Sequence, residues 1–293
     1  MKSIANLCEI YYNTIVSDFR EGVVSMEYLR ELQLTELEIL NEIHRICSEN
    51  GLSYFLVGGT LLGAIRHKGF IPWDDDLDIA MPRADYDGFL DICETELNEN
   101  FYLHSIKTDK EYWLPFSKIR KKYTLFDEEN LAGLDVPKGI FVDVFPLDEE
   151  FSETSFGKKI RTKIIKGINV LILSKKGLRK SDIVKKIAVF ISFPFSIEML
   201  QKLQIGLMSI NNGKGGTFYA NYGSNYDPVK QTMPKSVYEP AGLVEFEKNS
   251  YFAPKDYEYI LTRIFGKNYT ELPPEEKRIT HKPLKISFDT RKG

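Results

Sequence analysis

Residues 56–81 read LVGGTLLGAIRHKGFIPWDDDLDIAM, and the reading of the chain is decided there. Tyr54-Phe55-Leu56-Val57 is a short apolar run of strand type, ended by Gly58-Gly59. Thr60 to His67 has the pattern of a short helix, broken at Lys68-Gly69, and Pro72 keeps the next stretch extended. A second strand is predicted from Asp76 to Met81, ended by Pro82. Side chains alternate faces along a strand. Asp76 and Asp78 therefore share one face, Asp74 can join them from just before the strand, and Leu77 and Ile79 point into a core. Carboxylates crowded on one face repel each other. A cation among them relieves the repulsion, and hard oxygen ligands suit Mg²⁺ or Mn²⁺.

Two other readings of the Asp run were weighed. A solvated acidic loop is the common fate of such runs, but the flanking apolar residues argue for a strand. A calcium loop is rejected: Ile79 stands where that loop requires Gly, and Asp85 where it requires Glu. The Gly-Gly turn adds specificity. A strand that ends in two glycines and opens a helix presents backbone N–H groups to an anion. Gly58, Gly59 and Thr60 are thus candidate phosphate contacts beside a metal site, the pairing that phosphoryl transfer requires.

Working outward, residues 26–50 form an amphipathic helix with Leu29, Leu32, Leu37, Leu40, Ile43 and Ile46 on one side, stopped at Asn50-Gly51. A helix over 84–98 and strands over 101–106, 116–120 and 140–145 follow. Helix and strand alternate, which is α/β or α+β organisation. The chain changes character near residue 152: from 158 to 186 Asp182 is the only acid among many Lys and Arg. An apolar run over 187–197, interrupted by Pro194, completes what looks like a helical insertion. Residues 211–216 (NNGKGG) are a flexible turn, and one more helix is expected over 254–265, stopped by Gly266. The expected division is a catalytic core over 1–151, a basic and apolar helical insertion over 152–214, and a C-terminal region over 215–293 that completes the core.

Composition excludes several classes. With 43% hydrophobic and 28% charged residues in 293, the chain is globular, neither disordered nor membrane-spanning. No run reaches the roughly 18 apolar residues that a spanning helix needs. Cys8, Cys47 and Cys93 make no CxxC or Cys/His pattern, and an odd irregular set argues against a secreted disulfide scaffold. The N-terminus has no apolar core of signal-peptide type. The expectation is a reduced, cytoplasmic protein whose membrane contact, if any, is peripheral, at the inner face of the cell membrane.

The Gly-Gly turn followed by an Asp-x-Asp strand resembles the nucleotidyltransferase superfamily of DNA polymerase β type. Residues 56–81 as a whole look like the signature of the LicD/fukutin family of phosphotransferases. Phe116-Ser117-Lys118-Ile119-Arg120 with Thr124 is similar to that family's Lys-containing strand, and Phe141-Val142-Asp143-Val144-Phe145-Pro146-Leu147 to its second Asp strand. Residues 254–269, Leu272-Pro273-Pro274, Lys277-Arg278 and His281 resemble its C-terminal block, although many relatives carry two adjacent histidines where this chain has His281-Lys282. For residues 152–210 no such resemblance is identified. The resemblance implies an α+β fold: a mixed sheet of polymerase β-like type, flanked by helices. It also implies metal-dependent transfer of a phospho-alcohol from a CDP-alcohol donor such as CDP-choline to a hydroxyl of a lipid-linked glycan acceptor, as in capsule, teichoic acid or lipopolysaccharide synthesis.

In that scheme Asp76 and Asp78 hold the cation, Asp74 is a further ligand, and Asp143 brings another carboxylate or takes the proton of the attacking hydroxyl. Arg66 is a candidate phosphate clamp or a surface residue. Lys118 and Arg120 share a strand face and either neutralise the leaving group or form the solvated face of an edge strand. Trp73 either packs on a base or choline ammonium or belongs to the core. His281 is carried over as a substrate contact, while His44 and His104 read as ordinary helix and strand residues. The same metal site would serve a nucleotidyltransferase that adds NMP to a small molecule and releases pyrophosphate, or survive in a non-catalytic binding protein. Nucleic acid is disfavoured as a partner. The basic segment lacks interleaved aromatics and adjoins an apolar run, which suits an anionic membrane better.

Overall fold

The computed structural model describes residues 26–131, 134–178, 183–278 and 283–292. In chain order its elements are α1 (Met26–Asn50), β1 (Phe55–Leu56), α2 (Gly58–His67), β2 (Asp78–Pro82), α3 (Arg83–Glu96), β3 (Phe101–His104), β4 (Ser117–Lys121), β5 (Leu125–Glu128) and β6 (Phe141–Glu150). Then come α4 (Phe156–Lys175), α5 (Ile183–Ser192), α6 (Ile197–Met208), β7 (Phe218–Ala220), β8 (Thr232–Pro234), α7 (Lys235–Tyr238), β9 (Gly242–Phe246), β10 (Asn249–Ala253), α8 (Tyr257–Phe265) and β11 (Pro283–Ser287). The architecture is mixed α+β. Its main sheet runs β1-β2-β6-β4-β3, with β7 on β6 and β8 on β7. β2 and β6 are parallel, and every other pairing in the sheet is antiparallel.

The long strand β6 is the spine. Its first half lies between β2 and β4, and Asp148–Glu150 at its far end pair with β7. Val142 and Val144 are fully buried, with Ile79 beside them on β2 and Ile119 on β4. Helix α1 covers this sheet with Leu29, Leu32, Leu40, Ile43 and Ile46 of the anticipated stripe, joined by Ile39, while Leu37 is only half-buried. Helix α3 adds Tyr86, Phe89 and Leu90. Truncating a side chain as enclosed as Ile43 costs about 2–5 kcal/mol through lost burial and the cavity left behind.

Two ion pairs fasten this frame. Arg83, at the β2–α3 junction, donates Nε to Asp148 Oδ1 (2.8 Å) and Nη2 to Asp148 Oδ2 (2.9 Å), and Asp148 is fully buried. Asn212 Nδ2 adds a bond to Asp148 Oδ1 at 2.7 Å, so the loop after α6 is tied to the same carboxylate. Glu247 accepts from Arg30 (Nη1, 3.1 Å; Nη2, 2.5 Å) and from Phe70 N (3.2 Å), which joins the β9–β10 hairpin to α1 and to the loop after α2. The C-terminal region is interlocked with the first. β10 packs on β1, α8 on α2, and β11 pairs with β5.

The insertion is three helices. α4 and α6 bury Ile168, Ile172, Ile197 and Leu200 against Trp113 and Leu131, and Gln201 Nε2 bonds the carbonyls of Tyr112 (3.3 Å) and Leu114 (3.0 Å). Pro194 lies in the turn between α5 and α6, where the interruption was expected. Lys158, read from sequence as surface charge, is buried instead. Its ammonium donates to Glu153 O (2.9 Å) and Thr232 Oγ1 (2.5 Å). Ile165 and Ile168 also belong to the interior.

Candidate active site

β2 and β6 place Asp78 directly opposite Asp143, with Ile79 opposite Val144. Because faces alternate, burying Leu77, Ile79, Val142 and Val144 turns the two carboxylates to the other side. The strand begins at Asp78, so Asp76 and Asp74 sit in the approach to it. That approach is fixed from behind by Gln33 Nε2, which bonds Asp74 O (2.9 Å) and Ile71 O (3.3 Å). The Asp143 amide donates to Leu77 O at 3.0 Å, which sets the register.

The glycine turn lies against these acids. Gly58 has φ +56°, and a Cβ there would come 3.4 Å from Asp78 Oδ2. A Cβ on Gly59 would come 2.6 Å from Asp74 Oδ2, so the sequence needs glycine for close approach. The glycines form the first turn of α2 rather than preceding it, and Val57 at the N-cap gives no side-chain cap. Thr60 is buried and its hydroxyl accepts from Asp78 N at 2.9 Å, which locks the helix start to the carboxylate strand.

The electrostatics are strained in the way crowded acids require. Burial, then Asp76 and Asp143, raise the Asp78 carboxyl well above its ordinary value, with Lys118 opposing. Beneath the loop, Glu36 on α1 is raised by burial and by Asp76, Asp75, Asp74 and Asp78. Positive charge comes from β4. Lys118 Nζ donates to Asp143 Oδ1 at 2.5 Å and lies 3.4 Å from the Phe141 ring centroid. Arg120, two residues on, is 1% exposed. Its Nε donates to His104 Nδ1 (3.0 Å) and its Nη1 to Gly139 O (2.7 Å), while Nη2 has no partner among the described residues. β4 is an interior strand and both side chains are buried, so they are not the solvated face of an edge strand.

His104 is more than a strand residue. Burial and the Arg120 charge push its pKa down to about 4, so the ring is neutral near pH 7. Nδ1 accepts from Arg120, which leaves Nε2–H to face Asp109 Oδ2 at 3.3 Å. Arg66 lies near enough to Asp74 to feel its charge, and its guanidinium stands 6.0 Å from the Trp73 ring centroid. Its Nη1 donates to the carbonyls of Tyr269 and Glu271, both at 3.1 Å, and so fastens the C-terminal region. Trp73 lines the cleft, and its ring already carries the Arg278 guanidinium at 4.5 Å from the centroid. His281 lies outside the described residues.

The acids form the floor of a cleft of about 970 Å³ that also contains Gly58, Gly59, Lys118 and Arg120. Its walls include residues that sequence reasoning missed: Thr162, Lys166 and Asn169 on α4, and Asn221 and Tyr226 on the loop after β7. The spacing 162, 166, 169 is one helical face, but nothing in the sequence told which face would meet the acids. Asn221 Oδ1 accepts from Gly223 N and Ser224 N, both at 3.0 Å, an Asx turn that shapes this wall. Asp74, Asp76, Asp78 and Asp143 suit a hard divalent cation in kind: oxygen donors, crowded and partly withdrawn from water. Among the described residues, no three Asp, Glu, His or Cys side chains converge into a finished ligand cage. Asp143 is bonded to Lys118 there.

Residues 51–163 match the model of the LicD/FKTN/FKRP nucleotidyltransferase domain. The chain is 31% identical over 261 residues to the lipopolysaccharide cholinephosphotransferase LicD of Haemophilus influenzae, covering 86% of this chain and 95% of that one. An uncharacterized protein of Rickettsia prowazekii is 42% identical over 52 residues, 18% of this chain and 20% of its own, and one of Rickettsia typhi has the same identity over the same length, 17% of its own. The family match spans both acidic strands, the similarity to LicD runs over most of the chain, and the chain belongs to the LicD family.

Proposed function

We propose that this protein transfers a phospho-alcohol, phosphocholine or a polyol phosphate, from a CDP-alcohol donor to a hydroxyl of a cell-surface glycan precursor and releases CMP. The observation that carries the reading is the facing of Asp78 and Asp143 on parallel strands, beside a glycine turn and two buried cations. The full-length similarity to a lipopolysaccharide cholinephosphotransferase supports the phosphocholine class. Asp76, Asp78 and Asp143, with Asp74, would hold Mg²⁺ or Mn²⁺, which when bound supplies positive charge to the donor's phosphate oxygens.

The chain's own residues account for the rest. Gly58 and Gly59 let the Asp78 and Asp74 carboxylates approach the start of α2, where a donor phosphate would meet the helix N–H groups. Arg120 is held rigid by His104 and Gly139 and keeps one N–H direction for an anionic oxygen, a preorganised donor that needs no rearrangement during reaction. Lys118 Nζ holds Asp143 Oδ1, and in this reading the Asp143 carboxylate would take the proton of the attacking hydroxyl. The test is incubation with Mg²⁺, a glycan acceptor and, in separate reactions, CDP-choline, CDP-ribitol, CDP-glycerol or a nucleoside triphosphate, following nucleotide and pyrophosphate products. CMP release from one of them, with the phospho-alcohol on the acceptor, is the expected result. Pyrophosphate release from a nucleoside triphosphate instead would make the protein a nucleotidyltransferase.

A further inference from the structure

Helices α4 and α5 break the usual distribution of apolar residues. On α5, Ile183 is 74% and Phe190 83% exposed, and Ile187 and Ile191 are exposed too. These four recur at spacings of four, three and one, a single helical stripe. Phe193, in the turn that follows, is 81% exposed. On α4, Phe156, Ile160 and Ile164 stand four residues apart on a second exposed stripe. α5 meets α4 through Ala188 and Ser192, both buried, so its bare stripe is the side turned away from the protein. Large contiguous apolar exposure on a soluble chain marks a contact with something else.

The charge beside it says with what. Lys159 and Lys163 on α4 and Lys186 on α5 are exposed next to the apolar stripes, and between residues 157 and 197 Asp182 is the only acidic residue. Arg179, Lys180 and Asp182 lie outside the described residues. A protein partner of ordinary composition would bring both charge signs, whereas apolar anchors framed by lysines match the headgroup and acyl boundary of an anionic bilayer. We infer that α4 and α5 dock the enzyme peripherally on an anionic lipid surface, with Ile183, Ile187, Phe190 and Phe193 entering the interface and Lys159, Lys163 and Lys186 meeting the headgroups. α5 has ten residues, about half the length of a spanning helix, and no described helix is long and apolar enough to cross a membrane. The opposite face of α4, with Thr162, Ile165, Lys166 and Asn169, lines the catalytic cleft. One helix therefore separates the lipid surface from the cleft, which suits an acceptor carried on lipid.

The experiment is flotation of the full chain with vesicles of phosphatidylcholine alone or of phosphatidylcholine and phosphatidylglycerol, at low and at 0.5 M salt (a value chosen to shorten the Debye length to roughly 4 Å), with no nucleotide present. Binding to the anionic vesicles at low salt, weakened at high salt, is expected. Phe190→Glu/Phe193→Glu should lower the bound fraction at least tenfold with an unchanged melting temperature. Lys159→Gln and Lys163→Gln should each weaken binding about fivefold. Absence of binding to anionic vesicles at low salt overturns the inference, as does equal binding by wild type and the Phe190/Phe193 variant. Concentration-dependent dimerisation without vesicle binding, abolished by the same substitutions, also overturns it and assigns the face to a second copy. Because no donor is used, failure here leaves the catalytic reading standing.

Discussion

The acidic floor and helix α5 depart from the same rule in opposite directions. At the floor, carboxylates are withdrawn from water and crowded against one another. On α5, phenylalanine and isoleucine stand in water. Each departure is costly alone, because desolvated like charges repel and exposed apolar surface invites association. In the proposed readings each is offset by a ligand: a cation and phosphates at the floor, a lipid surface at α5. Function in this molecule is therefore found where the local physics is unsatisfied, and the remainder of the sheet, where charges are paired and apolar groups covered, reads as scaffold.

The largest effect should come from the floor. Asp76→Asn should lower the transfer rate by 10³-fold or more, since it removes a proposed cation ligand. The melting temperature of the ligand-free variant should hold or rise, because one repelling charge is gone. Unaltered turnover would remove Asp76 from the site. Next in size, Arg83→Met strips the buried Asp148 of its bidentate partner and should destabilise the protein by about 3–5 kcal/mol in denaturant unfolding, with Asn212 too weak to compensate. Asp143→Asn should cut kcat by roughly a hundredfold while donor KM stays near wild type, the split expected of a proton acceptor. A raised KM for Mg²⁺ with little change in kcat would assign it to the cation instead.

A smaller effect concerns His104. Its folded pKa, pushed down to about 4, lies below the ordinary 6.5. The unfolded chain then binds the extra proton, so stability is full above pH 6.5 and is lost as pH falls toward 4. His104→Gln keeps an acceptor for Arg120 without the titration and should flatten that acid-side loss, on the order of 3 kcal/mol. Asp78 works in the other sense: its raised carboxyl costs stability as pH climbs above the ordinary 3.8, and a bound divalent cation should recover it. The smallest change should come from α5, where Phe190→Ser should alter unfolding stability by less than about 0.5 kcal/mol, whereas Ile172→Ala on α4, fully buried, should cost about 2–5 kcal/mol.

What the sequence revealed follows the reach of its signals. The Asp-x-Asp strand, the glycine turn and the α1 stripe were legible because alternation and 3.6-residue periodicity are local patterns. Asp143 emerged through family resemblance, and its partnership with Asp78 needed the parallel register of β2 and β6. Arg120 was legible as a charge on a strand face, but its rigidity rests on His104, sixteen residues away on the neighbouring strand. Lys158 misled, since a lysine in a basic run gives no local sign that its ammonium will be enclosed by Glu153 and Thr232. Glu36, Asn169 and Asn221 reach the site only through tertiary packing, which no window of sequence contains. Arg66 was legible as a charge near the acids, but no local pattern shows that its Nη1 also holds the C-terminal carbonyls of Tyr269 and Glu271.

The central claim is that the paired strand carboxylates run metal-dependent phospho-alcohol transfer. It is tested most directly by CMP release from CDP-choline, with acceptor present, by wild type and Asp78→Asn, each in Mg²⁺ and in excess EDTA. The account predicts release by the wild type in Mg²⁺, abolished by EDTA, and a rate at least 10³-fold lower for Asp78→Asn although it is as well folded. Release by Asp78→Asn at the wild-type rate, or wild-type release untouched by EDTA, would contradict it.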